Sequence, residues 1–183
     1  FAERQSRYEM ADVATTAVAA DGGYRLDGEK TVVINGGSAN KFVVSARTSG
    51  GQFDHQGVSL FLVDAAAEGV SVKSYKTMDG QRAATVALAN VVVAEDQLLN
   101  AVGEGMDLVG QVMPSILMAL SAEALGIMVT LNRITVDYSK TRQQFGAPIG
   151  SFQVLQHRMV DTFMACEQAK SMLYRSLCQA NEC

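Results

Sequence analysis

The feature that most constrains this 183-residue chain is a change of period near residue 100. Before it, short runs rich in Val, Ile, Ala and Thr alternate with Gly- and Asp-bearing turns. After Gly103-Glu104-Gly105, apolar residues recur every three or four positions, at Val109, Val112, Ile116, Leu120, Ala124, Ile127, Leu131, Ile134 and Tyr138. A two-residue period describes strands and a 3.6-residue period describes helices. One chain carrying both in succession is an α+β protein, with strands over residues 1–100 and helices over 101–183.

The turns refine the first half. Asp27-Gly28-Glu29 between residues 24–26 and 30–34 reads as a hairpin, and Asn35-Gly36-Gly37 as a second turn. Further strands are expected over 41–47, 58–63, 70–75 and 84–93, with a polar loop over 48–56. Short strands at this spacing predict a barrel-like or sandwich-like domain. In the second half, Pro114 predicts either a kink or a helix that begins near it. A second helix is expected over about 152–179, with Leu155, Met159, Phe163, Cys166, Leu173 and Leu177 on one face.

Composition excludes several classes of function. The chain is 48% hydrophobic and 19% charged, with a net charge of −4 and no basic stripe, so nucleic acid is not an expected partner. Cys166, Cys178 and Cys183 lack metal-ligand spacing and read as reduced thiols of an intracellular protein. No metal site is expected. Residues 108–131 carry a single charge, Glu123, and are long enough to span a bilayer. Glu123 lies near the middle of the run, where a carboxylate is costly, and neither flank is basic or aromatic. A helix inside a bundle accounts for the run better than a membrane span. His55 and His157 have no Ser or Cys nucleophile pattern around them, and Gly103-Glu104-Gly105 lacks the third Gly of a dinucleotide loop.

The most specific text lies between the two helices, from Arg142 through Gln143-Gln144-Phe145-Gly146-Ala147-Pro148-Ile149 to Gly150-Ser151-Phe152-Gln153. Gly146 suits a left-handed helix end, Pro148 forbids continuation, and Ser151 is placed to cap the next helix. The corner presents a guanidinium, an aromatic ring and an amide. A guanidinium fork suits phosphate or carboxylate, and a ring beside it suits a flat heterocycle.

This motif, Arg-x-x-Phe-Gly-x-Pro-Ile followed by Phe-Gln, resembles the carboxy-terminal helical domain of the flavin-dependent acyl-CoA dehydrogenase family. Other wording agrees: Ala2-Glu3, Gly28-Glu29-Lys30 followed by Ile34-Asn35-Gly36, Asp79-Gly80-Gln81-Arg82, and Asn90-Val91-Val92-Val93. With Ser121-Ala122-Glu123-Ala124-Leu125-Gly126, it is similar to the small subunits of bacterial two-subunit members such as pimeloyl-CoA dehydrogenase. The resemblance implies a middle β-domain over 1–100 and part of a four-helix-bundle-type domain over 101–183. It implies FAD as cofactor, held by Arg142 at its pyrophosphate, with Phe145 and Gln153 beside it. Val32, Val33 and Ile34 fall where the family covers the isoalloxazine, usually with an aromatic, Ile and a hydroxyl residue. Acyl-CoA as substrate, an electron-transfer flavoprotein or other acceptor, a homo- or hetero-oligomer and a cytoplasmic location are also implied.

No catalytic residue is assigned. The family's usual catalytic Glu falls beyond residue 183. Its alternative base and the following Arg align with Ile116 and Leu117. Glu3-Arg4-Gln5-Ser6-Arg7-Tyr8-Glu9 also replaces the family's Glu-Pro-x-x-Gly-Ser-Asp. Two readings follow. One is an FAD-bearing dehydrogenase piece that is inactive alone. The other is a non-catalytic structural subunit that contributes to a partner's FAD site.

Overall fold

The computed structural model describes residues 1–181, and Cys183 lies outside them. The chain divides into two compact units, with the boundary between Gln111 and Val112.

The first unit is built on one mixed sheet in the order β4-β3-β1-β2-β6-β5. The strands are β1 (Thr16–Ala20), β2 (Gly23–Ile34), β3 (Lys41–Arg47), β4 (Val58–Asp64), β5 (Val70–Lys76) and β6 (Arg82–Ala94). All neighbours are antiparallel except β1 and β3, which meet in parallel at Thr16 and Arg47. The sheet is strongly curled. Tyr24 of β2 and Phe61 of β4 lie three strand steps apart in order, yet their rings stand 5.1 Å centroid to centroid. A flat sheet would separate them by about 14 Å. Curling brings the inner faces together, and Leu26, Phe42, Val44, Ala46, Phe61, Val63, Val86, Leu88, Val91 and Val93 form the core. The apolar run at 58–63 is buried on both faces, as its composition requires.

One turn expectation fails. Asp27-Gly28-Glu29 is no hairpin, because β2 runs through it. The turn that joins β1 to β2 is Asp21-Gly22, with Ala20 opposite Gly23 and Gly22 at φ 77°. At Asp27 the partner strand bulges instead. Asp27 faces both Ala89 and Asn90, between the pairs Leu26–Val91 and Gly28–Leu88. The Asp27 Oδ1 carboxylate accepts the Asn90 N–H at 2.7 Å. Gly28 is required by close approach: a Cβ there would lie 2.5 Å from Thr15 Oγ1 and 2.7 Å from Thr15 Cβ.

Helix α1 (Gly105–Thr141) is continuous through Pro114, so it starts nine residues before the proline rather than near it. Helix α2 spans Gln153–Asn181. The second unit buries little: among its described residues only Ser139, Cys166 and Leu173 are buried. The expected stripe of α1 is therefore not its inner face, since Ile116, Leu120, Ile127, Leu131, Ile134 and Tyr138 are all exposed. The half-buried face is offset from it and carries Met118, Leu125, Met128, Asn132 and Val136. On α2, Phe163 and Leu177 are likewise exposed, while Leu155 and Met159 are half-buried. The helices flank an open apolar groove of about 580 Å³ lined by Pro114, Leu125, Met128, Met172 and Leu173. They also share a hydrogen bond from Thr162 Oγ1 to Asn132 Oδ1 at 3.1 Å. By length and composition α1 could cross a membrane. Cys166 and Cys178 are free thiols, the first buried and the second exposed.

Candidate functional site

The positions singled out in the sequence fall into two groups, one in each unit. In the first unit, β2 carries a bulge of its own. Between the pairs Lys30–Val86 and Val33–Ala84, two residues of β2, Thr31 and Val32, face the single Thr85 of β6. Val32 sits at φ 52°, a left-handed conformation that is an outlier for a β-branched side chain. The extra residue re-aims the strand. Val33 packs against the core, whereas Val32 and Ile34 point outward, 53% and 61% exposed. Two uncovered aliphatic side chains thus stand together on an inner strand of the sheet, and Val33 offers that face only its backbone.

The bulge is tied to the amino-terminal segment. Thr31 N–H, freed from the ladder, donates to the Ala2 carbonyl at 2.8 Å. One residue along, Glu3 and Lys30 form a buried ion pair of 2.6 Å, each side chain at most 4% exposed. Lys30 Nζ also donates to Ser45 Oγ of β3 at 3.0 Å. The Glu3 carboxylate accepts four further hydrogen bonds, from Gln5 Nε2, Ala14 N–H, Thr15 N–H and Thr15 Oγ1. Burial pushes the Glu3 carboxyl up, but the bonds from Lys30, Gln5 and Thr15 and the Lys30 charge together hold it at about 2. Burial lowers Lys30 below the usual ammonium range, and Glu3 counters part of that. Residues 27 positions apart meet here. The sequence marked Glu3 and Lys30 only as points of resemblance; among Arg25, Asp27 and Glu29 of the same strand, nothing local singled out Lys30 for pairing.

A second buried cation closes the loop after β3. Arg47 donates from Nη1 to the Asp54 and Gln56 carbonyls and from Nη2 to the Ala11 and Gln52 carbonyls, at 2.6–3.0 Å. It has no carboxylate within ion-pair distance among the described residues. Above the Glu3 anchor, residues 4–8 form consecutive turns that leave Arg4, Arg7 and Tyr8 exposed, with Arg7 at φ 48°.

In the second unit, the corner differs from a capped helix end. Helix α1 stops at Thr141, although Arg142 N–H still donates to the Tyr138 carbonyl at 2.9 Å. Gln143 and Gln144 (β7) then pair with Pro148 and Ala147 (β8, Ala147–Pro148) as a two-residue hairpin. Its tip, Phe145-Gly146, has φ 54° and 80°, the doubly positive pattern of a type I′ turn. Gly146 therefore serves the hairpin, not a helix end. Ser151 does not cap α2 either. It lies in a 3₁₀ turn over Ile149–Ser151, and its hydroxyl donates to the Pro148 carbonyl at 2.7 Å. The Phe152 carbonyl accepts the Gln156 N–H and opens the helix.

The result is a stiff, exposed corner. Phe145 is 94% exposed, with its ring edge-on to Phe152 at 6.2 Å. Arg142 and Gln153 are exposed, and Arg142 forms no ion pair among the described residues. An unpaired guanidinium, an uncovered ring and an amide are assembled within twelve residues. Among the described residues no three His, Cys, Asp or Glu side chains are placed to hold a metal.

Comparison with known proteins gives one answer. The family profile for the acyl-CoA dehydrogenase middle domain matches residues 1–92, and that for the carboxy-terminal domain matches residues 103–182. The chain is 30% identical over 165 residues to a short-chain specific acyl-CoA dehydrogenase of Megasphaera elsdenii, covering 88% of this chain and 43% of that protein. The butyryl-CoA dehydrogenase structure from the same organism superposes with a TM-score of 0.89 at 26% identity, covering 99% of this chain and 48% of that one. The FAD complex of PigA gives 0.91 at 27% identity, with the same coverages. The chain thus spans about half the length of the relatives it matches. With both profiles matched in order and the mixed sheet leading into two long helices, the chain belongs to the acyl-CoA dehydrogenase family.

Proposed function

We propose that this chain is the middle β-domain (1–100) and the first part of the helical domain (101–183) of a flavin-dependent acyl-CoA dehydrogenase. The observation that carries this is the β2 bulge, which uncovers Val32 and Ile34 side by side on an inner strand. A flat aromatic ring system fits such a surface. It would remove apolar area from water on both sides, and neither side chain brings a polar group that needs a partner. FAD, when bound, supplies the hydride acceptor for α,β-dehydrogenation of an acyl-CoA thioester.

The chain's own residues bind and orient. Val32 and Ile34 would cover the ring and keep water from it, while Val33 would contribute backbone. Arg142 would hold the pyrophosphate with its guanidinium fork, with Phe145 and Gln153 beside it, in the subunit that shares the site. An electron-transfer flavoprotein or another acceptor would be the redox partner, and the assembly is an oligomer in the cytoplasm with no membrane or nucleic acid partner.

A second reading has its own observation. The positions where some family members carry a base and the Arg that follows it are Ile116 and Leu117, both exposed and apolar. Glu123, the nearest carboxylate along α1, is exposed as well. Unless a base comes from outside these residues, the chain serves as a structural subunit that lends Arg142 and Gln153 to a partner's flavin. In either case residues 1–183 alone oxidise no acyl-CoA.

The test is made on the complete assembled protein. Wild type should retain FAD through gel filtration, and an acyl-CoA should bleach its absorbance anaerobically. Arg142→Ala removes two charge-assisted hydrogen bonds and should weaken FAD retention about ten- to a thousand-fold, with Arg142→Lys recovering part. Equal flavin content in all three would remove Arg142 from the site.

A further inference from the structure

The geometry points to the buried Glu3–Lys30 pair as a positioning device that holds the β2 bulge in its strained form, and so sets the face that Val32 and Ile34 present. This rests on the flavin reading of that face. Val32 occupies a conformation that a β-branched residue leaves unless its surroundings fix it on both sides. On the carboxyl side the fixing is ordinary. Val33 packs into the core, and Asn35 N–H donates to the Arg82 carbonyl at 2.8 Å.

On the amino side the ladder holds the backbone as far as the Lys30–Val86 pair, and side-chain contacts add to that hold. The residue before the bulge is Lys30, whose side chain runs to the interior and ends on Glu3 and Ser45. The next residue, Thr31, has lost its partner on β6 and bonds instead to Ala2, the neighbour of Glu3. Glu3 is in turn held by Gln5, Ala14 and Thr15, so it cannot follow the strand if the bulge relaxes. The pair thus acts as a clamp with one jaw on the segment before β1 and the other on β2. A buried ion pair is poor evidence for stability, because apolar replacements often serve as well. Its value here is in direction: a charged, fully bonded pair one residue along supports the Thr31–Ala2 hydrogen bond at a fixed register.

Three kinds of variant of the complete protein decide the matter. Glu3→Gln and Lys30→Met release the clamp. The double variant Glu3→Leu/Lys30→Met replaces it with apolar volume. Val63→Ala opens a cavity on β4, three strand steps from β2, and serves as a control of comparable destabilisation. FAD affinity is measured on deflavinated protein well below each variant's melting point, together with the visible circular dichroism of the bound flavin.

The clamp predicts that all three clamp variants bind FAD about five- to a hundred-fold more weakly, the bulge strain now being met on binding. Their flavin spectra should change, while Val63→Ala matches wild type in both readouts. Wild-type affinity and spectrum in the clamp variants, at whatever stability, would overturn the inference, as would the same losses in Val63→Ala. Ile34→Glu separates this from the reading beneath it. If Ile34→Glu binds FAD normally, the flavin face is wrong. If it loses FAD while the clamp variants keep it, only the clamp is wrong.

Discussion

The Gly28→Ala substitution separates two views of the β2 segment most sharply. In a hairpin turn the change would cost about 1–2 kcal/mol, the strain of an L-residue at positive φ. In the structure the added Cβ meets Thr15 at three atoms, Oγ1 at 2.5 Å and Cβ and Cγ2 at 2.7 Å each. Thr15 cannot retreat, because it is 1% exposed and both its N–H and its hydroxyl donate to Glu3 Oε1. Overpacking a site of this kind costs about 1–3 kcal/mol. Displacing the hydroxyl from a buried carboxylate adds about 1.5–3 kcal/mol. Together the loss should be about 3–5 kcal/mol, which lowers the melting temperature by about 10 °C in a chain of this size. Scanning calorimetry should show it in the transition of the first unit, with the second unit unmoved. Adding Thr15→Ala removes two of the three clashing atoms and should recover part of the loss, giving a non-additive cycle. A loss of about 2 kcal/mol or less for Gly28→Ala, or strict additivity with Thr15→Ala, would refute the close-approach account.

Two further expectations concern the buried charges. Glu3 has its carboxyl held at about 2, below its ordinary 4.5, so its contribution is complete above pH 4.5 and is lost as pH falls from there toward 2. Glu3→Gln should therefore flatten the acid limb of a stability-versus-pH curve in that window, and an unchanged limb would contradict the pairing. Arg47→Lys keeps the charge but lacks the planar fork that reaches four carbonyls. It should cost about 2–3 kcal/mol in urea denaturation and raise protease cleavage within residues 48–56.

What the sequence disclosed and what it hid divide along physical lines. The strands at 41–47 and 58–63 were legible because each is a short, mainly apolar run rich in Val, Leu and Phe and bounded by polar turn residues, a local pattern. The Asp27-Gly28 signal misled because Asp-Gly occurs twice within eight residues, at 21–22 and 27–28. Which pair turns the chain is decided by β6, sixty residues away, whose Ala89-Asn90 bulge accommodates the second. The α1 stripe misled for a different reason. That helix is apolar on more than one face, so periodicity could not say which face meets α2. At the candidate site, Arg142, Phe145 and Gln153 were found as a motif, but the type I′ turn beneath them was not. Gly146 satisfies a helix end and a hairpin tip equally well. Val32 and Ile34 were singled out by position alone. Their outward aim depends on a bulge that no local pattern announces.

The uneven burial of the two units bears on how the chain breathes. Opening a segment costs roughly what its buried contacts contribute, so amide exchange reads burial as time. In the first unit, β2 and β6 run through the core, and their amides should be released only with the whole unit. In the second unit, α1 from Val112 onward and the 29-residue α2 bury three side chains among the described residues. Their backbone hydrogen bonds are intact, yet little apolar area is lost when a turn opens. Exchange along α1 and α2 should thus be fast and graded from the ends inward. Any surface that settles on the exposed Ile116–Tyr138 stripe would announce itself as a slowing of those same amides, before any change of shape could be seen.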